Sequence, residues 1–221
     1  MIATVYDRRG AWEQVSTHIK SLVFAGELRR GDRVPQDEIA AELGISRIPV
    51  REALIALERE AWVKIIPHRG AFVVGFDDSS ITDHYEVLGL VYGLVARRAA
   101  TTATAAQVSA LAPLQRTLAD AAKTGDADEF LEANDRFLAE LRKLGGSPRI
   151  SSILRSISGI VPGNFFAVVD GAAATATKGT SAVVRAIKDG DAERAADAMV
   201  TMLRHHGRAV TALLRANKIV E

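Results

Sequence analysis

The sequence predicts a mainly α-helical protein in two parts, a small N-terminal unit with one hairpin and an all-helical antiparallel bundle after it. Three observations point there. Apolar residues recur at helical spacing along most of the 221 residues. The segment that reads as strand is confined to residues 62–74. Glycines and prolines punctuate the chain between the periodic runs.

In order, residues 11–26 place Val15, Ile19, Leu22 and Val23 on one helical face and stop at Gly26. After the turn Leu28–Asp32, a short helix runs from Pro35 and is closed by Gly44. Ile45 and Ser46 lead into a further helix, Arg47 to about Ala61. Trp62–Ile66 and Ala71–Val74 read as two strands around the turn Pro67-His68-Arg69-Gly70. Helix, helix, short turn, helix and hairpin is the order of a winged helix-turn-helix. Asp77–Ser80 is polar and supplies N-caps. Beyond it the periodicity predicts helices near 81–101, 104–123, 126–144, 148–161, 179–189 and 192–216, with Pro113 kinking or splitting the second. Residues 164–178 read as a short helix or a loop. The expected organisation is a tail (1–10), a winged unit (11–76), a linker (77–80) and a helical domain (81–221).

Composition limits the function classes. Lys and Arg number 28 against 27 Asp and Glu, so no global field favours nucleic acid, and a DNA-binding claim must rest on local placement. The absence of cysteine excludes disulfides, thiolate metal sites and cysteine nucleophiles. Met1–Arg9 lacks the apolar core of a signal peptide, and the run Val87–Ala96 is too short to span a bilayer. A cytoplasmic protein without membrane contact is expected. No nucleophile–base pair, P-loop, dinucleotide fingerprint or H-E-x-x-H helix is present, so an enzyme is not.

The helix from Arg47 carries the chemistry. Val50, Ala53, Leu54 and Leu57 share a face that would seat it on the core, while Arg47 and Arg51 lie off that face with Ile48. Ser46 stands at its N-cap, and Pro49 is tolerated in its first turn. Arginine forks at the start of the second helix of such a motif meet guanine edges in the major groove. His68, Arg69 and Gly70 form the wing turn, where a glycine tip would admit close backbone approach and Arg69 could enter the minor groove. The bland alternatives are arginines that merely pair with Glu42 or Glu52, or that bind an acidic protein partner.

These residues also carry a resemblance. Val34-Pro35-Gln36-Asp37-Glu38-Ile39-Ala40, Gly44-Ile45-Ser46-Arg47-Ile48-Pro49-Val50-Arg51-Glu52-Ala53-Leu54, Leu57-Glu58 and Arg69-Gly70-Ala71-Phe72-Val73 resemble the GntR family of bacterial regulators. The resemblance implies operator reading by Arg47 and Arg51, contacts from Gln36, Ser46 and Pro49, and a wing at Gly70. Asp37 departs from the family, which often has a basic residue there. A regulator of this kind implies a homodimer on a pseudo-palindromic double-stranded DNA operator and, by family habit, a repressor.

The helical half resembles the FadR C-terminal (FCD) type of ligand-binding domain, through its helix count, Gly145-Gly146-Ser147-Pro148-Arg149 and Ala186-Ile187-Lys188-Asp189-Gly190-Asp191. Many members hold a divalent metal through an Asp and three His residues. Here those positions fall on Asn134, Leu138, Thr180 and Met202, so neither metal nor other cofactor is expected. Where relatives often have an Arg and a Glu, this chain has Leu88 and Tyr92. The expected small-molecule effector is therefore apolar or weakly polar. Val87–Ala96 is apolar all round, as in a helix buried on several sides. Tyr92, Asn134, Thr180 and His206 would be the polar points of a pocket, or would bond one another or water around a collapsed cavity. His205 and His206 with Asp135 or His84 offer a relocated metal site as an alternative.

Overall fold

The computed structural model of the chain describes residues 10–74, 78–157, 161 and 165–216. The chain parts into two compact units: the first holds residues up to Asp77 with Val161 and the end of the last helix from Leu214, the second the other described residues from Asp78 on.

In the first unit α1 (Ala11–Phe24), α2 (Gln36–Glu42) and α3 (Arg47–Arg59) precede the antiparallel strands β1 (Val63–Ile66) and β2 (Gly70–Val73). The core face of α3 is the predicted one, Val50, Ala53, Leu54 and Leu57. It packs with Val15, Ile19 and Val23 of α1, Ile39 of α2, and Trp62, Val63 and Val73 at the hairpin. Burying each of these side chains contributes about 1.5–3 kcal/mol, which is what holds so small a unit together. The Glu58 carboxylate accepts from the Ile65 amide at 2.6 Å, tying the hairpin to the end of α3. Arg33 adds an isolated antiparallel bridge to Phe72.

The second unit holds α4 (Asp78–Thr102), α5 (Ala105–Ser109), α6 (Leu111–Thr124), α7 (Ala127–Gly145), α8 (Pro148–Ile157), α9 (Phe165–Val168), α10 (Ala172–Lys188) and most of α11 (Ala192–Ala216). Thr104 and Gln107 form a reciprocal capping box on α5, and Asp126 caps α7 by accepting from the amides of Asp128 and Glu129.

Several boundaries differ from expectation. Helix α4 starts at Asp78, so residues 78–80 of the expected linker are helical, while Asp77 lies outside the described residues. The helix expected over 104–123 breaks at Ala110 rather than at Pro113, which sits third in α6. A proline has no N–H to return to Ser109, so the chain starts a new helix that needs none there. Helix α8 ends at Ile157, and Val161 lies in a bend. Helix α10 begins at Ala172, seven residues before the expected start at Gly179. Gly179 is a packing residue instead of a breaker: a Cβ there would stand 2.4 Å from Met202 Sδ of α11. Finally, α4 is not buried all round, for Val87, Leu90 and Leu94 are 48%, 57% and 37% exposed.

Candidate functional site

The N-terminal end of α3 is open to solvent. Ser46 occupies the N-cap position in extended conformation, but its hydroxyl makes no capping bond, contrary to expectation. The first amides of a 13-residue helix are thus left to an outside acceptor, and a phosphate is the acceptor such ends favour. Arg47 and Arg51 are exposed and line one cleft of about 530 Å³ with Arg33, Gln36 and Asp37. Pro49 is half-buried in the first turn of the helix. Neither bland partner holds Arg47; its Nε lies 2.8 Å from Asp37 Oδ1, with both side chains about two-thirds exposed.

The wing departs from expectation in detail. Gly70 is not its tip, since it opens β2 opposite Ile66. It is required by its φ of 104° and by Arg33, whose Nε would lie 2.9 Å from any Cβ at this position. His68 is the tip, exposed, with a φ of 61°. Arg69 is exposed and its guanidinium lies 5.9 Å from the Phe72 ring centre. Arg33, which the sequence reading did not single out, reaches this face because its strand bridge places it there.

Asp37 puts a negative charge beside the exposed Arg47 guanidinium. Asp37→Ala is expected to tighten binding to random-sequence duplex about two- to fivefold, the scale of an exposed ion pair, and to steepen the salt slope by roughly one charge. Fluorescence anisotropy across a salt series checks it; an unchanged slope and affinity would mean that the pair does not restrain Arg47.

In the bundle, Leu88, Tyr92, Thr180, Met202 and His206 are buried, whereas Asn134 and Leu138 are half-buried on α7. Tyr92 Oη accepts from Arg142 Nη1 at 2.8 Å. Burial pushes the Tyr92 phenol up, and the Arg142 charge partly offsets this. Arg142 was missed, although it continues the Asn134–Leu138 face of α7 by one further turn. Thr180 is spent on its own helix, its hydroxyl donating to Ala176 O at 2.8 Å. Met202 lines a groove of about 400 Å³ between α10 and α11.

His206 is 6% exposed, and its ring lies among Phe165 (4.9 Å between centres) and Phe166 (6.4 Å). Its Nε2 has no hydrogen-bond partner among the described residues. Desolvation pushes its pKa down to about 4, against a weaker opposing bond to the Ala172 backbone and with a further lowering from His205. The unfolded chain therefore binds more protons between about pH 4 and 6.5. Stability from this group is complete above about 6.5 and falls as pH drops toward 4, by about 3 kcal/mol in all. Urea unfolding at pH 7.5 and 5 in the wild type and His206→Leu measures it. The substitution should flatten the dependence, and an equal slope in both chains would show that another group titrates.

The sequence comparisons decide the family. The profile of bacterial regulatory proteins of the gntR family matches residues 11–73, and that of the FCD domain matches residues 83–205. The chain belongs to the GntR family. An uncharacterized HTH-type transcriptional regulator of Mycobacterium tuberculosis (strain H37Rv) is 34% identical over 154 residues, 70% of this chain and 62% of that protein. The chain thus spans about three fifths of that relative's length. The gluconate operon transcriptional repressor of Bacillus subtilis is 30% identical over 117 residues, 53% of this chain and 48% of its own. Among solved structures, E. coli McbR/YncC shares the fold, with a TM-score of 0.64 at 18% identity over 94% of this chain and 99% of that one. Both curated relatives are named as transcriptional regulators.

The family's metal set does not fit this GntR chain. An amide, an aliphatic side chain, a hydroxyl bonded to its own helix and a thioether stand at Asn134, Leu138, Thr180 and Met202. The relocated alternative is not assembled either, for among the described residues no three His, Asp or Glu side chains gather around one point. Consecutive helical residues diverge by about 100°, so His205 is exposed beside Thr201 O while His206 turns inward. No described helix is long and apolar enough to cross a membrane.

Proposed function

We propose that the chain is a sequence-specific DNA-binding repressor, acting in the cytoplasm as a homodimer on a pseudo-palindromic operator and governed by a small effector in its helical domain. The observation that carries this reading is the cleft at the start of α3, where exposed Arg47 and Arg51 stand beside Gln36 and an uncapped helix end. Planar forks off a helix N-terminus suit base edges, and the free amides with Ser46 suit the flanking phosphate. His68 and Arg69 of the wing extend the contact. One such unit buries too little surface for a selective site, and two related by a twofold axis double it.

The effector reading places Leu88, Tyr92, Asn134, Leu138, Thr180, Met202 and His206 around the pocket. His206 supports a weakly polar guest, because a neutral ring with a free Nε2 among phenylalanines accepts one hydrogen bond and otherwise offers apolar surface. Arg142 is already engaged by Tyr92. Selection of duplexes from a random pool, followed by release with a compound panel, tests the whole. Recovery of an inverted repeat bound at roughly 10⁻⁸ M or tighter is expected, released by apolar compounds bearing one donor. Failure to enrich any duplex overturns the DNA assignment; release by a dicarboxylate with a divalent metal, and by nothing apolar, overturns the effector class.

A further inference from the structure

The outermost apolar side chain of the winged unit stands between its two exposed arginines. Ile48, the second residue of α3, is 68% exposed, and no other large apolar side chain among the described residues is as exposed. Its direction follows from helix geometry. Successive residues turn by about 100°, so Ile48 points about 170° away from the middle of the buried face Val50, Ala53, Leu54 and Leu57. Arg47 and Arg51 stand only about 70° and 110° from that middle. The arginines therefore flank the outer line of α3, and Ile48 lies on it. Ile55, 48% exposed, falls on nearly the same line two turns further from the open helix end.

A side chain so placed is the deepest point of this helix end in any groove it enters, and its chemistry restricts what it can meet there. Isoleucine neither donates nor accepts a hydrogen bond. Of the base edges in the major groove, only thymine presents an apolar group, its C5-methyl. Against the other edges the side chain would shield donors or acceptors from water without replacing their bonds, which costs free energy. The branched side chain is also set in advance, because isoleucine in a helix keeps one strongly preferred χ1 rotamer and loses little freedom on contact. We propose that Ile48 is a base reader for the methyl group of a thymine, lying in each half-site beside the bases that Arg47 and Arg51 touch. The inference rests on the DNA-binding reading above and adds the identity of one base to it. What Ile48 recognises is a methyl group and not a hydrogen-bonding edge, so 5-methylcytosine at the same place substitutes in part and unmodified cytosine does not.

Anisotropy titration of the full chain tests it, on duplexes enriched from the random pool and remade with deoxyuridine in place of one thymine at a time. Deoxyuridine keeps every hydrogen-bonding group of thymine and lacks only the methyl. For the wild type, one thymine position should be sensitive, with a loss of about fourfold per half-site, the worth of one methyl taken out of water. Ile48→Ala should bind the thymine duplex more weakly and should no longer distinguish it from the deoxyuridine duplex. Folding is not at stake in that variant, because the side chain is exposed. Ile55→Ala, on the same line but far from the helix end, should keep the wild-type ratio. With cytosine at the sensitive position, its 5-methylation should tighten wild-type binding and leave Ile48→Ala unmoved. If no duplex is enriched, the DNA-binding reading falls and this assignment with it. If duplexes are enriched but no thymine is sensitive, or if Ile48→Ala keeps the wild-type ratio, the methyl assignment alone is overturned.

Discussion

Replacing Arg47 and Arg51 together with alanine is expected to weaken operator binding by roughly 30-fold at the least, from about 1–3 kcal/mol for each bidentate base contact. In a dimer the loss occurs at both half-sites, so the measured effect should exceed that figure. Folding is not at stake, because both side chains are exposed and the face that seats α3 is Val50, Ala53, Leu54 and Leu57. Lysine at the same two positions separates the roles. It retains the charge but not the planar fork, so the salt slope should stay near wild type while discrimination between operator and random duplex falls. Anisotropy titrations of both duplexes measure it. Undiminished operator affinity in the alanine chain would mean that other residues read the bases.

The second large effect lies inside the bundle, at the close of α7. A Cβ at Gly145 would stand 1.9 Å from the Val95 carbonyl oxygen and 2.8 Å from the Ala99 amide nitrogen, both backbone atoms of α4. No rotamer relieves such a contact; either α7 must end sooner or the helices must separate. Gly145→Ala should therefore cost about 3 kcal/mol or more, at or beyond the usual upper range for overpacking, seen as a lowered urea midpoint. Gly179→Ala is the informative contrast. Its added methyl would meet the flexible Met202 side chain, which can swing aside, and about 1 kcal/mol is the expected cost. Equal stability of Gly145→Ala and wild type would show that the two helices are not in backbone contact.

The winged unit was the more legible half. Its spacing of Val50, Ala53, Leu54 and Leu57 sets which face of α3 is covered, and the exposure of Arg47 and Arg51 follows from geometry that any straight helix shares. What local pattern could not give depends on residues brought together by folding. Arg33 reaches the site through a bridge to Phe72, and Asp37 meets Arg47 across a turn. In the bundle, Tyr92 and Arg142 are fifty residues apart, and nothing in either helix alone marks their bond. Gly179 reads as a stop signal unless the thioether packed on it is known. Thr180 reads as a pocket donor, yet a threonine in mid-helix has its own preceding carbonyls within reach. The exposed side of α4 was hidden by composition, since an apolar run does not say whether its cover comes from the same chain.

The carboxylate that shares Arg47 bears on how quickly a rare target is found. A protein scanning a chromosome spends most of its time on wrong sequence, where backbone phosphates compete for the same guanidinium. On the reading proposed above, an internal acid offers the cation a resting place that it must leave before meeting any duplex, so each dwell on wrong sequence is shortened. The same cost falls on the right sequence, where the base contacts must then supply the affinity that the backbone contacts no longer give.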